Sequence, residues 1–157
     1  MAVQKNAKRQ HFVADWLGYD EEGLAIKPEE GDYERLARHV ITQADDSQDN
    51  TVEEGDYAGD GTPTTEVESY TERWNSSGYY NAEDKAQALI VSKKRAIGDA
   101  KKGWHKIIYP NGMVVEGPVT FSAIRAGSGD ATAREEFAVT INHDTIPVET
   151  PPVVPGG

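Results

Sequence analysis

The chain has no cysteine, which excludes a disulfide scaffold, a thiolate zinc site and a cysteine nucleophile together. No apolar run reaches the length of a membrane span. The start, "MAVQKNAKRQ", carries positive charge with no apolar stretch behind it, so it does not read as a secretory signal. Folding in the cytoplasm is the expectation. Leucine is confined to Leu17, Leu24, Leu36 and Leu89, and that scarcity argues against a helical bundle. Positive charge is missing altogether from Asp45 to Glu72, 28 residues that hold ten Asp or Glu.

What is present points to β structure. Gly, Thr and Val are plentiful in a chain of 157 residues with 15 Gly, a length suited to one domain with a modest core. The net charge of −11 opposes attraction to nucleic-acid phosphates and anionic membranes.

Hydrophobic periodicity gives the elements. "RQHFVADW" predicts a first strand with Phe12, Ala14 and Trp16 on one face. "GYDEEGLAIKPEEGDY" reads as a loop, and Glu34 to Thr42 fits helix or strand, its β-branched end favouring strand. From Thr64 to about Trp74, Glu66, Glu68, Tyr70 and Glu72 alternate with Thr65, Val67, Ser69 and Thr71. That is a strand with one acidic face. "NAEDKAQALIVSKKRAIG" predicts the one helix, capped by Asn81, closed by Gly98, with Ala82, Ala86, Leu89, Ile90 and Ile97 as its apolar stripe.

Pro110-Asn111-Gly112 then marks a hairpin turn. The following strand places Met113, Val115, Val119, Phe121 and Ala123 on the core face, with a bulge or kink at Gly117-Pro118. A last strand places Phe137, Val139 and Ile141 there. The fold class expected is mainly β (α+β): a β-sandwich or open barrel with one flanking helix and a long acidic hairpin loop. Residues 1–145 form the domain, residues 44–63 a flexible acidic loop, and the Pro/Gly-rich residues 146–157 an extended tail.

Catalytic patterns are missing. His11, His39, His105 and His143 are scattered without ligand spacing and read as surface or interface residues. "GSGD" at 127–130 has no strand–turn–helix unit around it, and no nucleophile elbow or Walker loop occurs. Asp45, Ser47 and Asp49 stand at positions one, three and five of a calcium loop, but Asn50 replaces its glycine and Asp56 its final glutamate. Paired Glu53 and Glu54 lie in a solvated loop that would fix neither their separation nor their pKa values. No enzyme, cofactor or metal is expected.

Charge of both signs is present but segregated. Lys93, Lys94, Arg95, Lys101, Lys102 and Lys106 are the basic concentration, opposite in sign to Asp45–Glu72. A chain carrying both halves of an attraction is suited to contacts between copies. An acidic strand face cannot be buried in its own core, so it looks onto water.

In order of features the chain resembles the tail tube (major tail) proteins of long, non-contractile-tailed bacteriophages. The resemblance lies in "QKNAKRQHFVADW", "VESYTERWNSSGYYNAEDKAQALIV" and "GWHKIIYPNGMVVEGPVTFSAIRAGSGDATAREEFAVTI", and covers about Ala2 to Asn142. It implies six copies in a ring, rings stacked into a tube, and an acidic lumen that conducts double-stranded DNA. Glu66, Glu68 and Glu72 would face the lumen. Asp45, Asp46, Asp49, Glu53, Glu54, Asp56 and Asp60 would belong to a loop reaching the next ring, and Lys93, Lys94, Arg95, Lys101 and Lys102 to a basic patch between subunits. The implied partners are a tape measure protein inside the tube and tail tip, distal tail and terminator proteins. The implied place is the virion tail, assembled in the bacterial cytoplasm, with no membrane contact. A virion joining or completion protein outside the tube, or an acidic β-sandwich binding module, is the alternative.

Overall fold

Period-two patterning in this chain produces one curled sheet. The computed structural model describes residues 5, 8–55 and 61–151, apart from the side chain of Glu54. The strands are β1 (Gln10–Asp15), β2 (Glu34–Arg35), β3 (Val40–Asp45), β4 (Gln48–Glu54), β5 (Thr64–Thr71), β6 (Arg73–Tyr79), β7 (Lys102–Ile108), β8 (Val114–Ser128), β9 (Glu136–His143) and β10 (Val148–Thr150). One helix, α1 (Lys85–Val91), joins β6 to β7. Eight strands form a sheet in the order β2-β1-β7-β8-β9-β6-β3, with β10 added to β8, while β4 and β5 pair separately. Among the described residues this is an open, curled half-barrel with one helix. The expected mainly-β class is correct, with a single curved sheet in place of two stacked ones.

The concave face holds the core. Val13, Trp74, Ile107, Val115, Val119, Phe121, Phe137, Val139 and Ile141 are buried there together with Ala86 and Ile90 of α1. Trans-sheet alternation put Phe137, Val139 and Ile141 on this face as expected. On β8 the pairing runs unbroken through Gly117 and Pro118. The irregularity comes later, between Ser122 and Arg125. One extra residue there reverses the alternation, so Ile124 is buried and Ala123 is exposed with φ of 50°. The convex face carries a second, smaller cluster of Ala14, Tyr33 and Trp104, against which Phe12 and Trp16 pack. Phe12, Ala14 and Trp16 do share a face, but it is the one covered by the 16–33 loop.

The segment Glu34–Thr42 is broken rather than continuous. It gives two-residue β2, then a turn with His39 at φ 66°, then β3. Gly78 permits that turn, because a Cβ there would overlap the backbone of His39 and Val40. The helix is shorter than its pattern implied. Asp84, not Asn81, caps it by accepting from Gln87 N at 3.2 Å, while Asn81 Oδ1 accepts from Glu83 N. After Val91 the backbone tightens into three-residue turns, with Lys93 N bonded to Ile90 O and Lys94 N to Val91 O. Ile97 thereby leaves the core face and is 90% exposed. Gln87 is fully buried yet satisfied, accepting from Asn81 N and donating to the carbonyls of Tyr79 and Arg38.

Candidate assembly interface

The acidic stretch splits at the base of a projecting hairpin. The reading of 44–63 as a flexible loop gives way, among the described residues, to strand β4 paired along its length with β5, from Gln48 opposite Thr71 to Glu54 opposite Thr64. Polar "QDNTVEE" has weak β preference by itself, and its pairing comes from the strand-forming partner "TTEVESYT". Asp56 and Asp60 lie outside the described residues. The extended form of 48–54 also rules out the calcium-loop geometry there, and no three metal-ligating side chains are grouped among the described residues.

The base of the arm is clamped. Asp46 N donates to Arg73 O at 2.8 Å, Arg73 N to Ser47 Oγ at 3.2 Å, and the Arg73 guanidinium meets Asp46 at 3.4 Å. Asp45 Oδ1 accepts from Ser47 N and shapes the turn. Beyond the clamp the arm is open on both faces. Asp49, Glu53, Glu66 and Glu68 are exposed, and so is Val67 at 58%.

The row of acids is not a single face. Thr51 pairs with Val67 and Asn50 with Ser69, so Glu68 is an extra residue in a β-bulge. Past it the alternation reverses, putting Ser69 and Thr71 on the side of Glu66 and Tyr70 on the side of Val67. Glu72 falls at the break between β5 and β6 and is only 7% exposed. Its Oε1 accepts from the Tyr70 hydroxyl at 3.2 Å, and the Trp74 indole N–H lies close to the carboxyl without a well-formed bond to Oε2. Burial pushes its carboxyl above the usual carboxylate range. The Tyr70 hydroxyl and Trp74 indole oppose that rise, and Asp45 and Glu149 add to it. Glu72 is withdrawn from solvent in the subunit, unlike Glu66 and Glu68.

The basic group also divides. Lys93 is buried, with Nζ 2.6 Å from Asp15 Oδ1 and 3.4 Å from Ala100 O. Lys102 is held 2.6 Å from Asp144. Both cations are committed inside the subunit, which leaves Lys94, Arg95 and Lys101 of the original five for an external contact. Partial burial raises the Asp15 carboxyl, but the Lys93 ammonium and the Trp16 N–H outweigh it and hold it below its ordinary value. The two members of this pair are unequal, because Lys93 is buried and Asp15 is largely exposed. Asp15→Ala, which leaves a buried ammonium without its carboxylate, should cost about 1–3 kcal/mol. Lys93→Met, which keeps the buried stem, should cost less than about 1 kcal/mol. Urea unfolding of the two variants checks the order.

Among the described residues the two ends of the curled sheet do not pair. Edge strand β3 faces β1 and β2 across a cleft of about 550 Å³ lined by Arg9, His11, Leu36, Val40, Ile41 and Gln43. Side chains span it in part: Arg9 Nη2 donates to Gln43 O at 3.1 Å and Gln43 Nε2 to Leu36 O at 3.0 Å. β3, "VITQAD", carries no Lys, Arg or Pro, the usual guards of a free edge.

Three histidines that chain spacing had placed at the surface are instead buried together. His11, His105 and His143 stand in line on the core face of β1, β7 and β9. The signal was available in the strand pattern: if Phe12 and Ala14 face one way, His11 faces the other, with Val13 beside it.

No family model and no curated protein matches the sequence. Solved structures do match the fold. One is a chain from the tail of an empty gene transfer agent particle solved with C6 symmetry, at TM-score 0.64 and 14% identity, covering 94% of this chain and 99% of that one. This chain has that fold. Another is the SPP1 tail tube, at TM-score 0.61 and 12% identity over 97% of this chain and 81% of that one. A third is the sheath/tube terminator of an extracellular contractile injection system, at TM-score 0.58 and 12% identity over 96% and 98%. The fold is therefore not confined to long non-contractile tails.

Proposed function

We propose that this chain is a structural tail tube subunit of a bacteriophage-like particle, assembling as stacked hexameric rings around an acidic channel. The observation that carries the reading is a full-length likeness to tail and tube components, in a subunit with a free β edge and an arm exposed on both faces. A two-stranded hairpin is marginal alone and needs a further surface to pack on. A second copy supplies one.

In this reading the exposed β3 edge and the β4–β5 arms of neighbouring copies join around the channel. Glu66 and Glu68 present carboxylates to it, while Glu72 stays withdrawn at the base of the arm. Carboxylates facing a polyanion repel it, and water and counterions fill the gap, so DNA passes without binding minima. The segment from Asp45 to Thr62 reaches the next ring, where Lys94, Arg95 and Lys101 are its counter-charges. A tape measure protein inside, tip, distal tail and terminator proteins at the ends, assembly in the bacterial cytoplasm and a non-contractile tail complete the proposal. The role is structural, not enzymatic.

Purified protein imaged by negative stain at rising concentration tests this. Six-fold rings with a central hole, or filaments built from them, are expected. Strictly monomeric protein at every concentration and salt would contradict the proposal. A second reading rests on the terminator-like fold: rings that form but never stack would favour it.

A further inference from the structure

Half-buried Arg9 and three buried histidines run in line from the cleft into the core. Arg9 Nε donates to His11 Nε2 at 2.8 Å, His11 Nδ1 is 3.1 Å from His105 Nε2, and His105 Nδ1 is 3.0 Å from His143 Nε2. The three rings are 3%, 0% and 6% exposed. The donors fix the direction. A guanidinium has no acceptor, so His11 Nε2 must accept. A neutral imidazole carries one proton, so that of His11 sits on Nδ1 and points at His105. The step repeats, placing the His105 proton on Nδ1 and directing it at His143. The last proton falls on His143 Nδ1, which has no partner among the described residues.

The sheet makes room for this line at one position. His105 on β7 is paired with Gly117 on β8, and His143 with Val119. A Cβ at Gly117 would lie 3.3 Å from His143 Nδ1. The missing side chain lets a ring on β7 reach a ring on β9 over the strand between them.

We propose that Arg9, His11, His105 and His143 form a one-way hydrogen-bond relay that holds three neutral Nδ1–H imidazoles and releases β1, β7 and β9 when acid is added. A proton added at an accepting nitrogen sets donor against donor and puts a cation in the core. The groups facing the relay are Arg9 before β1, the Trp74 ring on β6 at 4.9 Å from that of His11, and Asp144 after β9. Burial, then Arg9, lowers His11 from 6.5 to about 3. Burial, then its two neighbours, takes His105 well below 6.5. Burial lowers His143 to about 4, with Asp144 opposing.

Each group is lower in the folded chain than in the unfolded one. Its contribution is thus complete above 6.5 and is lost as the pH falls from there, toward about 4 for His143 and about 3 for His11. Glu72, raised, acts in the opposite sense, and Asp15, lowered, acts in the same sense only near its ordinary 3.8. Above the ordinary range of Asp15 the three rings act together, and Glu72 offsets part of their effect. His11 and His143 alone should raise the unfolding constant by roughly five-hundredfold between about pH 7 and pH 5, and His105 adds to it in the same direction.

The test is nitrogen-15 NMR of the imidazoles in the full chain at neutral pH, with exposed His39 as control, together with urea unfolding at the two pH values. Three neutral Nδ1–H rings and a rise of a hundredfold or more are expected. Any of the three found charged or as Nε2–H, or a smaller rise, overturns the proposal. Arg9→Met supplies a second reading, since it removes the donor that breaks the symmetry of the line. Both proton orders should then appear in the spectrum, and an unchanged single order would count against Arg9 as the positioning residue.

Discussion

Phe121→Ala should destabilise the subunit by about 3–5 kcal/mol, most of the margin by which a domain of this size stays folded. Phe121 is fully buried on the concave face of β8, opposite Ile141 of β9. Its ring lies directly over Gly103 of β7, where a Cβ would come within 2.5 Å of Phe121 Cε2. The ring fills space that a glycine has left, and ladders on both sides of β8 hold the surrounding backbone. The site cannot collapse, so the lost transfer energy and the cavity term both count in full. Urea unfolding followed by tryptophan fluorescence gives the value; a loss below about 1 kcal/mol would show that this part of the core is loosely packed.

Val67→Asp should have the opposite profile, with almost no effect on the subunit and a complete effect on assembly. Val67 is 58% exposed on an arm whose strands, among the described residues, pair only with each other. Surface changes of this kind usually stay within about 0.5 kcal/mol of neutral. If the arm packs on another copy, the same change buries a carboxylate in that contact. Unfolding and negative-stain imaging of the one variant separate the effects. Rings or filaments formed as readily as by the parent chain would remove Val67 from the contact.

The parts of the fold legible in the sequence are those where alternation runs unbroken. Phe137, Val139 and Ile141 on β9, the hairpin at Pro110-Asn111-Gly112, and the helix around Ala86 and Ile90 follow directly from spacing. The errors sit at interruptions that spacing does not announce. A bulge exchanged Ala123 for Ile124 in the core, and another at Glu68 divided the acidic face. Strand β4 was hidden because Asp and Asn are poor strand formers and only its partner orders it. Lys93 looked like surface charge, since nothing in the chain says that Asp15 lies beside it. The histidine line needed both the strand faces and the strand order, and the order comes from the β7–β8–β9 pairing, not from spacing.

In the proposed tube the free edge and the arm complete themselves on other copies of this chain. Cryo-electron microscopy of the purified, concentrated protein tests it most directly. The expected map has six subunits around an open channel, with each β4–β5 arm against a neighbour and Glu66 and Glu68 facing the hole. A map in which the arms project into solvent, or particles that close without a channel, would contradict it.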